Sequence, residues 1–230
     1  MKSRFVAAAL LLATASSVQA QIAPRGSFGS SSFCFGSATC SIPNTAVERG
    51  GVGGVLLGLE AHQRLSGPNL ANDGAGTYTA FSGYGVAPYA TWNFAFHVDG
   101  SAQALARYNF QLAYDVNPGV GQGTFGTVDV PGTYIASQGG TFENSWNLAM
   151  SFLYSASPGI TPPAGSFNPF ATGQYNFALA QYNASDNQLV EYVAINVNVE
   201  DTVTPEPASF ALLATGLAGI AFGARRRRNT

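Results

Sequence analysis

Three observations predict an all-β chain built as an antiparallel sandwich. Apolar and polar residues alternate with period two in several stretches, turn-forming clusters separate them, and no convincing amphipathic helix lies between. The first candidate strands are residues 54–65 and 77–82. In the next, Ala90, Trp92, Phe94, Phe96 and Val98 share one face while Thr91, Asn93 and His97 take the other. Tyr108, Phe110, Leu112 and Tyr114 alternate with Arg107, Asn109, Gln111 and Asp115. Trp146, Leu148, Met150, Phe152 and Tyr154 repeat the pattern, as do Tyr175, Phe177 and Leu179. Val193, Ile195, Val197 and Val199 close the series against Asn196 and Asn198. Such alternation reads as half-buried strands with one dry and one wet face.

Turn clusters fall between the strands at Asn72-Asp73-Gly74, Asp99-Gly100, Asn117-Pro118-Gly119 and Asp186-Asn187. About seven strands of this kind predict a two-layer sandwich of the immunoglobulin-like or cadherin-like type, with a closed barrel as the alternative. The last two strands resemble the closing hairpin of many bacterial immunoglobulin-like domains, a likeness shared by domains of unrelated function. The expected organisation is a signal peptide over 1–20, a Gly/Ser-rich leader over 21–53 and the sandwich over 54–199. A tether over 200–204 and a sorting segment over 205–228 complete it.

The two ends carry addresses rather than fold. Lys2 and Arg4 precede an apolar run over 5–12, and Val18-Gln19-Ala20 places small residues before a cut between Ala20 and Gln21. That is the layout of a secretory signal peptide. At the other end, residues 208–224 carry no charge and are followed by Arg225, Arg226, Arg227 and Arg228. A 17-residue helix spans about 25 Å, close to the short limit for a hydrocarbon core of about 30 Å. Four adjacent arginines could not be neutralised in a protein core, which argues for a transmembrane helix. A signal peptide puts the domain outside, and the positive-inside rule then requires the arginines after the span, where they are.

Residues 21–204 hold Arg25, Arg49, Arg64 and Arg107, no lysine and eleven acids, a net −7. So few cations exclude nucleic-acid binding through phosphate neutralisation. Cys34 and Cys40 are the only cysteines, and an oxidising compartment would permit a disulfide between them, with two separate thiols as the alternative. His62 and His97 are the only neutral-pH bases and sit on polar strand faces, where solvated residues are the ordinary reading. No nucleophile elbow, zinc-protease helix motif or Cys-His signature accompanies them, so no catalytic residue, metal ligand or cofactor is assigned. Asp73, Asp99, Asp115, Asp129, Asp186, Glu200 and Asp201 lie in or beside turns and could converge on Ca²⁺. Tyr84, Tyr89 and Tyr182, among many amide side chains, would suit contact with carbohydrate.

Pro205-Glu206-Pro207, the single apolar span and the terminal arginines together resemble the PEP-CTERM sorting signal of Gram-negative bacteria. The resemblance covers about the last 26 residues. It implies recognition of Pro205, Glu206 and Pro207 by an exosortase-type membrane protease, cleavage near the triplet, and delivery to the surface or extracellular matrix. Thr204 stands where the family often has Val, which leaves the scissile bond open. The resemblance further implies a link to exopolysaccharide or biofilm. The expected protein is therefore exported through the inner membrane, processed by signal peptidase and the exosortase, and structural or adhesive. A secreted glycan- or calcium-binding module is the alternative, and an unrecognised hydrolase a remote one.

Overall fold

The structure is a computed structural model that describes residues 22–29, 46–65, 70–119 and 125–201, with Thr215 alone beyond them. The first seven strands are β1 Ser27–Phe28, β2 Val47–Gly50, β3 Leu56–Gln63, β4 Ala71–Asn72, β5 Thr77–Phe81, β6 Tyr84–Val86 and β7 Tyr89–Ala90. Then come β8 Trp92–Asp99, β9 Tyr108–Asp115, β10 Phe125–Pro131, β11 Thr141–Trp146, β12 Ile160–Thr161, β13 Gly173–Asn183 and β14 Leu189–Glu200. Short helices α1 (Ala102–Leu105) and α2 (Gly132–Ser137) follow β8 and β10, and a 3-10 turn covers Ser151–Tyr154.

The all-β expectation holds. A five-stranded sheet of order β1-β2-β3-β8-β11 faces a seven-stranded sheet of order β12-β10-β9-β13-β14-β5-β4. The two sheets stay separate, so the barrel alternative falls. Trp92 and Phe94 of β8 meet Tyr175 and Phe177 of β13, with ring centroids 5.5 Å (Trp92–Tyr175) and 4.7 Å (Phe94–Phe177) apart. Phe94 also stacks on Tyr114 of β9 at 6.3 Å. Val193, Ile195 and Val197 of β14 complete a dry interior. Tyr114 fits only because Gly126 lies opposite it on β10: a Cβ there would overlap the ring. Its hydroxyl donates to the Leu153 carbonyl oxygen at 2.6 Å.

Four expectations need correction. The sandwich is not wholly antiparallel: β5 runs parallel to β14, with Phe81 beside Glu200. The segment over 21–53, expected as a leader ahead of the sandwich, contributes β1 and β2 to it. Arg25 pairs with Ala194 of the large sheet, and Ser27–Phe28 with Glu48 and Val47 of the small one, so one short segment ties both sheets together. The strand expected over 146–154 stops at Trp146. Asn147 causes the stop, because its wholly buried amide donates to the carbonyls of Ala90 and Trp92 at 3.2 and 2.8 Å and to Asn93 Oδ1 at 2.9 Å. Its oxygen accepts from the backbone N–H groups of Ala90 and Ala149, which turns the chain out of the sheet. Finally, β3 and β8 are buried on both faces, not one.

A second buried amide works at the opposite end. Gln181 of β13 accepts from the Val52 N–H at 3.0 Å and donates to the Val52 carbonyl at 2.9 Å, fastening the β2–β3 turn over the core. Removing such a side chain leaves buried backbone groups without partners. Asn147→Ala should therefore lower unfolding stability by about 3 kcal/mol, measured by urea denaturation. A loss under about 0.5 kcal/mol would show that Asn147 does not hold this end.

Candidate functional site

The outer face of the small sheet holds the histidines. His62, His97, Asn93 and Glu60 are all buried there, so the solvated reading of both histidines is wrong. His62 Nε2 lies 2.7 Å from Ser145 Oγ, which also accepts from Asn93 Nδ2 at 2.9 Å. His97 Nδ1 lies 2.7 Å from Glu143 Oε2, directly across the β8–β11 ladder. Burial pushes the His62 imidazole down to about 4. A serine beside a neutral imidazole is one component of a nucleophilic site, which also needs access and an oxyanion cradle. His62 and Ser145 line neither of the two grooves described below.

The turn acids do not gather. Asp73 accepts from the N–H groups of Ala75 and Thr77, Asp99 from Thr141 Oγ1, and Asp186 from the Gln188 N–H. Asp115 is buried and bridges the Asn117 N–H and Asn176 Nδ2. Among the described residues, no three or more His, Cys, Asp or Glu side chains form a group able to hold a metal ion.

The outer face of the large sheet offers a different site. Its registers place Ala113, Ala178 and Ala194 in one row, and Gln111, Ala180 and Tyr192 in the next. Asn109, Tyr182 and Leu189 form the row beyond. Alanines across neighbouring strands leave a shallow floor, and the larger side chains around them make walls. The result is a trough of about 590 Å³ between residues Ile22 and Ala23 on one side and Tyr182, Leu189 and Tyr192 on the other. At Gln111 and Tyr182 it joins a second hollow of about 350 Å³, edged by Asn109, Asp129, Pro131 and Asn187. Gln111 Nε2 donates to Asp129 Oδ1 at 2.8 Å, which fixes both side chains at the junction.

Electrostatically the trough is nearly neutral. Beside it, Arg25 stacks on the Tyr192 ring at 4.4 Å and pairs with Glu191 at 2.7 Å. Glu191 also meets Arg49 Nε at 2.8 Å. Pairing with Arg49, together with the hydrogen bonds from the Tyr192 N–H and Arg25, holds the Glu191 carboxyl down at about 2.

Of the three tyrosines singled out by composition, only Tyr182 belongs to this site. Tyr84 packs edge-on against Phe170, with ring centroids 4.8 Å apart, and Tyr89 lies under the Arg64 guanidinium at 4.2 Å. The sequence reading missed Gln111 with Asp129 and the alanine rows. A usable signal existed, since Ala178 and Ala180 occupy positions of β13 where a wet face would carry polar residues. The expected signal-peptide cut at Ala20 and Gln21, the Cys34–Cys40 pairing, the Pro205-Glu206-Pro207 triplet and Arg225 to Arg228 all lie outside the described residues. Among those described, no helix is long and apolar enough to cross a membrane.

Fold and groove define an all-β domain with a shallow, uncharged outer trough. The profile of one protein family, described as the PEP-CTERM protein-sorting motif, matches residues 203–228. The chain thus carries a tail for export, transient membrane anchoring and exosortase-dependent sorting. No curated protein and no solved structure matches the chain.

Three shifted groups shape the acid response: His62, Glu191 and Asp73, whose carboxyl is held below the ordinary carboxylate range by hydrogen bonds from the Thr77 and Ala75 N–H groups. Between pH about 6.5 and 4 the unfolded chain protonates His62 while the folded one does not, so stability falls as the pH drops through that window. Glu191 contributes stability above its ordinary 4.5, and that contribution is lost as the pH falls towards 2. Urea unfolding across this range should show both phases. His62→Gln should abolish the upper phase and Glu191→Gln should shrink the lower, to which Asp73 also contributes, and constant stability from pH 7 to 4 would contradict the assignment.

Proposed function

We propose that this protein is an adhesive component of the cell surface or extracellular matrix, delivered by its tail, and that the outer trough holds a neutral polysaccharide. The observation that carries the reading is the trough itself: Tyr182 and Tyr192 beside an alanine floor, ending in the fixed Gln111–Asp129 pair. Sugar rings present apolar C–H faces and a rim of hydroxyls. Tyrosine rings suit the faces, and amide and carboxylate oxygens suit the rim. A site with one carboxylate and an already paired arginine favours uncharged residues over uronic acids or sulfated sugars. The role is one of binding rather than catalysis, because the His62–Ser145 contact is buried in the other sheet, away from the trough.

Titration calorimetry of the full chain in detergent, against neutral and acidic oligosaccharides, tests the reading. Neutral glucan- or mannan-type oligomers should bind saturably, and Tyr182→Ala should weaken them about tenfold, equivalent to about 1.4 kcal/mol. Asp129→Asn should weaken binding less than Tyr182→Ala. Absence of saturable binding across the panel would remove the glycan role and leave a purely structural one.

A further inference from the structure

The end of the sandwich from which the tail departs carries a group of exposed apolar side chains close together. β14 finishes at Glu200, whose carbonyl accepts from the Ser82 N–H at 2.8 Å, so the chain is held in the sheet to that point. Phe81 lies beside Glu200 on the parallel neighbour β5. Tyr84 and Val86 follow in the β6–β7 hairpin, and Phe170 joins them through the Gly83 N–H bond to the Pro169 carbonyl at 2.7 Å and the Tyr84–Phe170 ring contact. These four side chains are between 47% and 57% exposed. Clustered exposed aromatic and aliphatic groups on a soluble face call for a partner.

The length of chain beyond this end identifies that partner. Asp201 is seven residues from Ala208, where the apolar span begins, and seven extended residues reach at most about 25 Å. While the span is in the bilayer, the apolar end therefore cannot lie far from the headgroups. We propose that Phe81, Tyr84, Val86 and Phe170 rest on the lipid surface before processing, seating the sandwich on the membrane with the sorting motif at the interface. Aromatic rings favour that zone, having an apolar body and, in Tyr84, a polar tip. The domain's net −7 disfavours attraction to anionic lipid, so the contact is with zwitterionic headgroups and the upper acyl region. This proposal rests on the sorting tail and is independent of the glycan reading.

The test uses the full chain reconstituted through its tail into phosphatidylcholine vesicles with brominated acyl chains, which quench tryptophan at the bilayer. Phe170→Trp places a reporter in the patch. Leu189→Trp places one at the other end of β14, about 36 Å away at 3.3 Å per residue. With the signal of the unsubstituted chain, from Trp92 and Trp146, subtracted from both, the Phe170→Trp reporter should lose at least about twofold more fluorescence than the Leu189→Trp reporter. Adding Phe81→Ser and Val86→Ser, both at exposed positions, should return Phe170→Trp to the Leu189→Trp level. Equal quenching of the two reporters would overturn the proposal and assign the patch to a protein partner absent from the vesicles. Quenching that survives the serine changes would overturn it too, since the tail alone would then hold the domain down.

Discussion

Trp92 and Phe94 reach across from β8 to Tyr175 and Phe177 on β13, and the positions of the other functional features follow from that contact. Each of these rings contributes on the order of 2–3 kcal/mol when removed from water, with a smaller increment from edge and stacked geometry. The contact puts β13 and β14 at the middle of the large sheet, flanked by β9 and β5. One outer face of that pair becomes the floor of the trough. The far end of β14 becomes the point where the chain leaves for the sorting tail. Two buried amides, Gln181 and Asn147, close the opposite ends of the same interior with hydrogen bonds where apolar side chains would leave backbone groups unpaired.

The sandwich is consequently directional. Its Tyr182 end carries a hollow edged by Asn109, Asn187 and Asp129. Its Glu200 end carries a cluster of exposed apolar side chains, Phe81, Val86 and Phe170 among them. A tail that ties the second end to a bilayer points the first one outward, so the proposed glycan site and the sorting tail lie at opposite ends.

Much of the fold was legible because strands buried by long apolar faces leave a period-two trace, as β8, β9 and β14 do. What escaped was set by contacts distant in sequence. Asn93 and His97 alternate with apolar neighbours as solvated residues would, yet they are buried against Ser145 and Glu143. β1 and β2 have two and four residues, too few for a period to register. The run from Trp146 to Tyr154 kept its alternation, and only the bonds of Asn147 to β7 and β8 break it. The parallel β5–β14 pair depends on how the chain crosses the sandwich, which no local pattern records. At the candidate site Tyr182 was visible as an aromatic among amides, whereas Gln111 and Asp129 meet only because β9 and β10 are neighbours. The tail was the reverse case: its meaning lies in the order of triplet, span and arginines, and needs no fold.

Intact mass of the protein recovered from the cell surface or the medium tests the central claim most directly, that this domain is delivered by a tail that is then removed. The mature species should lack residues 1–20 and everything beyond the neighbourhood of Pro205-Glu206-Pro207. A mature species that retains Arg225 to Arg228 would contradict it and make the tail a permanent anchor.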